Sequence, residues 1–291
     1  MILVIGDLHI NQNRKKAIKL AFNEILSKIK NKKFSYTILL GDIFDKTPTI
    51  EERNIFAKFL SYLLKKSKKI ILIKGTDSHE YTKGIYNLSD LCILNNKIEA
   101  KESFEIDNYV FLHTDIYGLK YSNGFICEEG LKKFDKEKTY IVGHFHTPQQ
   151  KDNIIVVGSI YKTSFAEKDD EKMFLIVKDT TIDSISIKSR NMIELHVEGK
   201  NQKLKYDESL LNLSTNEVDL KIVAKVDKIS LPPLHKFINR IKNKFNIEYY
   251  QEDITIEEIK TDVPKSLNSN ELAKKYCKDK NIDYNLVKAS L

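Results

Sequence analysis

Apolar segments of strand length that end in aspartate or histidine constrain this chain most. The first of them, Met1–Ile5, runs into Gly6, Asp7, Leu8 and His9. Side chains two residues apart in a strand point to the same side, so Asp7 and His9 can reach one metal ion. A single Asp-x-His sequence is weak support for a site, because an aspartate after a strand is usually an ordinary turn residue. Its weight depends on recurrence.

The pattern does recur along the first half of the chain. The further segments are Thr37–Leu40 before Gly41-Asp42, Lys69–Ile73 before Lys74-Gly75, Tyr109–Leu112 before His113, and Thr139–Val142 before Gly143-His144-Phe145-His146. In α/β proteins, ligands bind in the crevice at the carboxyl ends of the strands. The aspartate and histidine side chains are therefore predicted to converge.

The spacing of apolar residues predicts an α/β fold with two sheets. Asn13–Lys30 and Ile50–Leu64 are amphipathic at helical spacing and alternate with strands up to about residue 100, which predicts a sheet with parallel strands flanked by helices. After Glu102 the segments are short and typical of strands, which favours a second sheet packed on the first. Its expected strands are Ser103–Ile106, Tyr109–Leu112, Thr139–Val142, Ile154–Val157, Met173–Val177 and Ile182–Ile187.

The pattern changes near residue 190, where a small α+β domain is predicted for residues 190–255. Its expected elements are the strands Met192–Val197, Val218–Val226 and Ile247–Tyr250 and the helix Pro232–Phe245. Lys236, Arg240 and Lys244 recur at every fourth position of that helix and form one ridge. The ridge is either a solvated helix face or a surface for a phosphate backbone. Residues 256–291 would follow as a linker and a helical tail, after a first domain of residues 1–189.

Composition sets outer bounds on the class of protein. The 48 Lys and Arg residues against 41 Asp and Glu residues give a net charge of +7, which suits a polyanionic partner but can also reflect solvation. Three cysteines without a CxxC spacing indicate neither a disulfide framework nor a zinc knuckle. Because Met1 begins directly in a strand and no apolar run reaches about 18 residues, we expect a cytoplasmic protein without a membrane partner.

Two carboxylates and four imidazoles stand at the predicted strand ends. They are Asp7, His9, Asp42, His113, His144 and His146. This oxygen and nitrogen set suits Mn, Fe or Zn better than Mg or Ca alone. Six ligands are too many for one catalytic ion with an open position, so two ions are expected, with Asp42 as the most plausible bridge. Two metals in such a site activate a water and brace both oxygens of an in-line displacement, which is the chemistry of phosphoester hydrolysis.

The same residues resemble a known family. GDLH, GDIFD, the Gly75–Glu80 loop, Leu112-His113 and GHFH are similar to the signatures of calcineurin-like metallophosphoesterases. Beyond that family, Val157–Glu167 resembles the Gly-Ser, Ser-Phe and Glu pattern of SbcD-like nucleases. The similarity at the level of motifs covers about residues 1–178.

The resemblance carries implications for function. It implies a metallophosphoesterase sandwich, a DNA-binding cap domain over 190–255 and a tail that binds the coiled coil of an SMC-like (SbcC-like) ATPase. It further implies a Mn²⁺-dependent DNA exonuclease or endonuclease of repair and recombination, with two divalent ions and a homodimer. On this interpretation the ridge of Lys236, Arg240 and Lys244 in the cap would hold the DNA backbone. Phage or bacterial origin is typical of such subunits.

Position by position, the resemblance also assigns roles. Asp7, His9 and His146 match the ligands of one metal, His113 and His144 match ligands of the other, and Asp42 matches the bridge. His79 matches the histidine that sits over the scissile phosphate and helps the leaving oxygen. The family reads Gly-Asn-His at this motif, whereas this chain has two more residues and lacks the asparagine. Asp77, Ser78 or water could replace the amide ligand, or the second metal could bind loosely.

Two other functions remain open at the level of the sequence. A phosphatase or phosphodiesterase for proteins or small phosphoesters shares every metal ligand but needs neither a cap nor a tail. A DNA-binding scaffold subunit would keep the fold and lose turnover through the altered Gly75–Glu80 loop. Metal content separates these classes, since an enzyme holds two ions and a scaffold holds none.

Overall fold

Three β-sheets organise the part of the chain that the structure, a computed structural model, describes: residues 1–77, 79, 97–212, 217–257, 274 and 276–279. The strands are β1 Ile2–Ile5, β2 Phe34–Leu39, β3 Ser67–Ile73, β4 Ile98–Lys101, β5 Ser103–Ile106, β6 Tyr109–His113, β7 Thr139–Gly143, β8 Gln149–Lys151, β9 Ile154–Val156, β10 Lys172–Lys178, β11 Thr181–Ile187, β12 Asn191–Lys200, β13 Lys203–Tyr206, β14 Glu217–Asp227 and β15 Asn246–Glu257. The helices are α1 Lys15–Lys28, α2 Ile50–Lys66 and α3 Leu231–Lys244.

The first sheet has six strands in the order β11-β10-β1-β2-β3-β4. Strands β1 to β4 run parallel, and β10 and β11 add antiparallel strands beside β1. The prediction that Met173–Val177 and Ile182–Ile187 belong to the second sheet is therefore wrong. In β10, Phe174 and Leu175 point to opposite faces and both are fully buried. A strand buried on both faces belongs inside a sheet that is covered on both sides.

Side chains of the first sheet divide between two cores. Leu3 and Ile5 of β1 join the cluster that also contains Phe22 of α1, so this face of the sheet is covered by helices. Ile2 and Val4 point the other way and join a separate buried cluster with the second sheet. The alternation along one strand thus produces the predicted sandwich, because successive strand side chains point to opposite faces.

The second sheet has the order β5-β6-β7-β9-β8. Its inner strands β6, β7 and β9 are parallel, and β5 and β8 are antiparallel edge strands. The register pairs His113, the last residue of β6, with Gly143, the last residue of β7. The carboxyl ends of these two strands are therefore level, and the residues that follow them emerge side by side.

A third sheet, in the order β13-β12-β14-β15, forms what we call the C-terminal unit, residues 191–212 and 217–257. It has a buried cluster of its own in which Leu195 and Ile222 pack against Leu234 and Phe237 of α3. The predicted division of the chain at residue 189 stays a prediction. No helix in the described ranges is long and apolar enough to cross a membrane. Most of the predicted tail, residues 256–291, lies outside the described residues.

Candidate metal centre

Three side chains of ligand type meet at the end of β1. Asp7, His9 and His146 each place one ligand atom within 4.8 Å of the others. Asp7 and His9 follow β1 directly, and both are buried. His146 comes from the segment after β7, so the first and second sheets both contribute to this group. We call it group 1.

A second triad stands beside it. Asp42, His113 and His144 also place one ligand atom each within 4.8 Å of one another, and we call this set group 2. His113 ends β6 and His144 directly follows β7, so the level ends of these strands bring the two rings together. Their ring centroids are 5.3 Å apart. The structure thus brings together all six side chains that the sequence singled out.

Asp42 lies between the two groups. Its Oδ2 is 3.8 Å from His9 Nε2 and 3.3 Å from His113 Nε2, and these two rings belong to different groups. Its Oδ1 accepts a hydrogen bond of 2.8 Å from the backbone N–H of Thr76. A carboxylate held in this way can serve two cations at once.

Each of the four imidazoles uses one ring nitrogen to donate to an oxygen of the protein. The pairs are His9 Nδ1 with Asp45 Oδ1 at 2.8 Å, His113 Nδ1 with Leu40 O at 2.6 Å, His144 Nε2 with Asp115 Oδ1 at 2.9 Å, and His146 Nδ1 with Glu167 Oε1 at 3.1 Å. Because these oxygens only accept, the ring nitrogens that face them carry the protons in a neutral imidazole. The other nitrogen of each ring keeps a lone pair for a metal ion.

Two of these free lone pairs are buried. His9 Nε2 and His113 Nε2 are buried and have no hydrogen-bond partner in the described part of the chain. An orphaned buried acceptor is costly unless a cation satisfies it. Imidazoles fixed from behind by carboxylates or carbonyls are the usual arrangement of metal-ligating histidines. The donor set therefore fits a divalent metal site.

The carboxylates and imidazoles of the two groups shift one another's pKa values. Burial alone would raise the pKa of Asp42, but the adjacent imidazoles of His113 and His9 and the hydrogen bond from the Thr76 N–H hold the pKa of that carboxyl well below its usual range. Burial would lower the pKa of His113, but Asp42 and Asp7 raise it well above its usual value. The carboxylates around His113 thus favour positive charge at this place, and a metal ion would supply it.

The backbone at the centre is strained. His9 has φ 42°, Asp42 has φ 41° and His144 has φ 84°, a region that side chains other than glycine rarely adopt. Space is equally restricted, since a Cβ on Gly143 would lie 2.4 Å from Leu40 O and 2.6 Å from Asp7 Oδ1. Strain of this kind persists where the surrounding structure enforces it, and it concentrates at functional sites.

His79 stands at the edge of group 1. Together with His9 and Asp45 it forms a further set of ligand-type atoms within 4.8 Å. Its Nδ1 donates to the backbone carbonyl of Asp45 at 3.0 Å, and its ring is partly exposed. The hydrogen bond leaves Nε2 with a lone pair, so His79 is available to a bound substrate rather than built into the core.

The remaining predicted residues lie elsewhere. Asp77 belongs to neither group, because its carboxylate is 83% exposed and lies 3.2 Å from Lys74 Nζ. Ser78 lies outside the described residues. Lys236, Arg240 and Lys244 are exposed on α3 in the C-terminal unit.

Sequence reasoning missed the residues that orient the ligands. These are Asp45 behind His9, Asp115 behind His144, Glu167 behind His146, and Thr76 beside Asp42. Asp115 follows His113 by two residues, the same spacing that links Asp7 to His9, and Asp45 is the last letter of GDIFD. Both signals were available. Glu167 ends the segment that resembles the SbcD-like pattern, but the sequence does not indicate that it orients a histidine.

A two-sheet α/β sandwich with buried carboxylate and imidazole groups at its strand ends defines the chain as a metal-dependent phosphoesterase. A family model described as calcineurin-like phosphoesterase matches residues 1–158, which is more than half of the chain, and the protein belongs to that family. A search of curated proteins found no match. The match ends before β10, so it covers all six predicted metal ligands but not the C-terminal unit.

Proposed function

We propose that the protein is a DNA nuclease subunit that hydrolyses phosphodiester bonds with two divalent metal ions, Mn²⁺ being the favoured one, in repair or recombination. The observation that carries the proposal is the union, on one chain, of the two metal groups and a second unit with an exposed basic helix face. A phosphatase for small esters has no evident need for that second unit.

The basic face supports a polymeric substrate. Lys236 and Arg240 line a groove of about 630 Å³ beside the ring of Tyr206. Arg240 and Lys244 also line a smaller neighbouring groove of about 240 Å³. Cations next to an aromatic ring suit a backbone phosphate with its sugar and base, and such contacts position a nucleic acid without reading its sequence.

In the proposed reaction, six residues of the chain would hold the metal ions and His79 would transfer a proton. Asp7, His9 and His146 would hold one ion and His113 and His144 the other, with Asp42 between them. When bound, the ions supply charge neutralisation of the phosphate and acidification of water. His79, fixed through the proton on Nδ1 by the Asp45 carbonyl, would take up a second proton on Nε2 and, as the imidazolium, give it to the departing sugar oxygen. Asp45 thus steadies both His79 and His9.

The partners follow from the same proposal. Residues 256–291 would contact the coiled coil of an SMC-like ATPase, and a second copy of the chain would complete a homodimer. Sedimentation of the purified protein across a range of concentrations tests the second copy. A tenfold excess of the ATPase, where it can be produced, is expected to accelerate DNA cleavage by the full-length chain but not by a chain that ends at residue 257.

The first test concerns His79. Duplex DNA with Mn²⁺ is incubated with the wild type, with His79→Ala and with His196→Ala, which replaces an exposed histidine of β12 as a matched control. Loss of a general acid should lower the cleavage rate by about 10² or more, and the control should match the wild type. Equal rates for all three proteins would refute the role of His79.

The second test concerns the substrate. Lys236, Arg240 and Lys244 are replaced by alanine together, and the control replaces Arg53, Lys58 and Lys65, three exposed cations of α2. Only the first variant should lose DNA cleavage and show a shallower salt dependence. Both should hydrolyse bis(p-nitrophenyl) phosphate at the wild-type rate. Efficient hydrolysis of p-nitrophenyl phosphate without any cleavage of DNA would favour a phosphatase instead.

A further inference from the structure

A fully buried ammonium group lies behind the ligand His146. The side chains of Lys172 and Glu167 both have 0% exposure, and Lys172 Nζ lies 2.6 Å from Glu167 Oε2. Lys172 sits in β10, beyond the matched family segment. A lysine is almost never fully buried unless it is paired. This pair therefore needs an explanation that packing does not supply.

The ammonium group contacts three separate parts of the chain. Lys172 Nζ also donates to the His146 carbonyl at 2.9 Å and to Ser159 Oγ at 3.1 Å, and it lies 3.3 Å from Asp170 Oδ2. The three protons of an ammonium group are thus all used. Two of these acceptors connect Lys172 to the predicted ligand His146. One is the backbone carbonyl of His146 itself, and the other is Glu167, which contacts the His146 ring.

Glu167 transmits the charge to the ring. Its Oε2 faces Lys172 and its Oε1 accepts from His146 Nδ1 at 3.1 Å, so one carboxylate joins the ammonium to the imidazole. Thr163 Oγ1 lies 2.9 Å from the same ring nitrogen. A carboxylate that accepts at Nδ1 fixes the tautomer and ring orientation and makes Nε2 a better donor to a metal.

We propose that Lys172 is a positioning residue for group 1, which sets the metal affinity of His146 through Glu167. Without the ammonium, the buried carboxylate loses its counter-charge, and the His146 carbonyl loses its donor. The position of Glu167, and with it the orientation of the His146 ring, is then less firmly fixed. The neighbouring group 2 has its own orienting residues, Leu40 and Asp115, and does not depend on Lys172. The inference concerns metal binding and does not depend on the DNA substrate.

The test is calorimetric titration of the full-length, chelator-stripped protein with Mn²⁺. Lys172→Met should weaken one of the two binding events by about 10-fold to 100-fold and leave the other within about twofold. The matched control is Lys178→Met on the same strand, whose ammonium lies 2.6 Å from Asp183 and is 43% exposed. This control should bind both ions as the wild type does.

A double variant separates positioning from general damage to the fold. Glu167→Gln combined with Lys172→Met removes both charges but keeps an oxygen for His146 Nδ1, so it should recover most of the affinity lost by Lys172→Met alone. Circular dichroism checks that each variant is folded. Wild-type affinity in Lys172→Met would overturn the proposal. So would an equal loss at both ions, or a double variant no better than Lys172→Met.

Discussion

At the scale of single residues, Asp42 is the side chain on which the two metal groups depend together. Its position between His9 Nε2 and His113 Nε2 gives both groups a shared carboxylate. We predict that Asp42→Asn binds neither ion tightly, whereas His146→Ala loses only one. Mn²⁺ at 100 times its dissociation constant should raise the free energy of unfolding by about 2.7 kcal/mol per bound ion.

The measurement is thermal unfolding with Mn²⁺ and with a chelator. The wild type should gain most from the metal, His146→Ala an intermediate amount and Asp42→Asn almost nothing. Asp183→Asn, a change at an aspartate of β11 paired with Lys178, serves as the control and should behave as the wild type. Full metal stabilisation of Asp42→Asn would contradict the shared role.

Glu167 gives the centre a pH dependence of its own. Burial alone would raise its pKa, but the hydrogen bond with His146 and the charge of Lys172 hold the pKa well below the ordinary value of 4.5. A carboxyl with a lowered pKa stabilises the folded state above its ordinary value, and this stabilisation is lost as the pH falls.

We therefore predict how the difference in free energy of unfolding between the wild type and Glu167→Gln, measured with a chelator present, changes at low pH. The difference should shrink progressively below about pH 4.5. Urea unfolding at each pH measures it. A difference that grows toward low pH would show that the sign is wrong.

At the scale of elements, α1 begins with a cap from a distant part of the chain. Arg14, the residue before the helix, makes no capping hydrogen bond with its side chain. Instead Glu248 of β15 accepts from the Lys16 N–H through Oε1 and from the Ala17 N–H at 2.9 Å through Oε2. These N–H groups have no partner inside the helix, so a carboxylate is favourable there.

Removing this cap should destabilise the protein measurably. Glu248→Ala is predicted to lower the free energy of unfolding by about 1 kcal/mol, the usual cost of a lost cap. Glu257→Ala lies on the same strand and removes only an exposed ion pair with Lys225, so it should cost less than about 0.5 kcal/mol. Urea unfolding compares the two. Equal losses would mean that Glu248 does not act as a cap.

Elements also show what the sequence could and could not predict. The alternation of β1 and the spacing in α2 are local signals, and the ligands at the ends of strands follow from them. The partner of β10 is not local, because the antiparallel pairing of Leu3 with Ile176 joins strands far apart in sequence. The run Met173–Val177 is continuously apolar, which is typical of a strand buried on both faces, and read in that way it favours an interior position.

The same distinction applies to the metal centre. The six predicted ligands stand at or just after strand ends, three of them directly after a glycine, and these are local signals in the sequence. Their orienting partners depend on how loops fold back, as Asp115 does on His144 and Glu167 on His146. No periodicity encodes such contacts. Asp77 shows the same limit from the other side, because its chemistry suits a ligand while its carboxylate is exposed.

At the scale of the whole molecule, Arg14 joins the metal-binding sandwich to the C-terminal unit. Its guanidinium is buried, with Nη2 2.9 Å from Asp219 Oδ2 of β14 and 2.8 Å from the Lys162 carbonyl. The ring of Tyr249 lies 4.6 Å from its Cζ. Asp219 is itself fully buried and is also contacted by Arg190 at 3.2 Å. A buried carboxylate that is paired with two guanidinium groups loses much of the positive charge that stabilises it when one of them is removed.

We therefore predict that Arg14→Met lowers the free energy of unfolding by about 3 kcal/mol, the lower end expected for breaking a buried pair, because Arg190 remains. The lost contacts lie between the sandwich and the C-terminal unit, so the two parts should unfold separately. Calorimetry with a chelator should therefore show two unfolding transitions instead of one. Arg53→Met, on the exposed face of α2, should leave a single transition at the wild-type temperature. If Arg14→Met also unfolds in one unshifted step, the two units are held together by contacts other than this arginine, with Glu248 at the start of α1 the next to test.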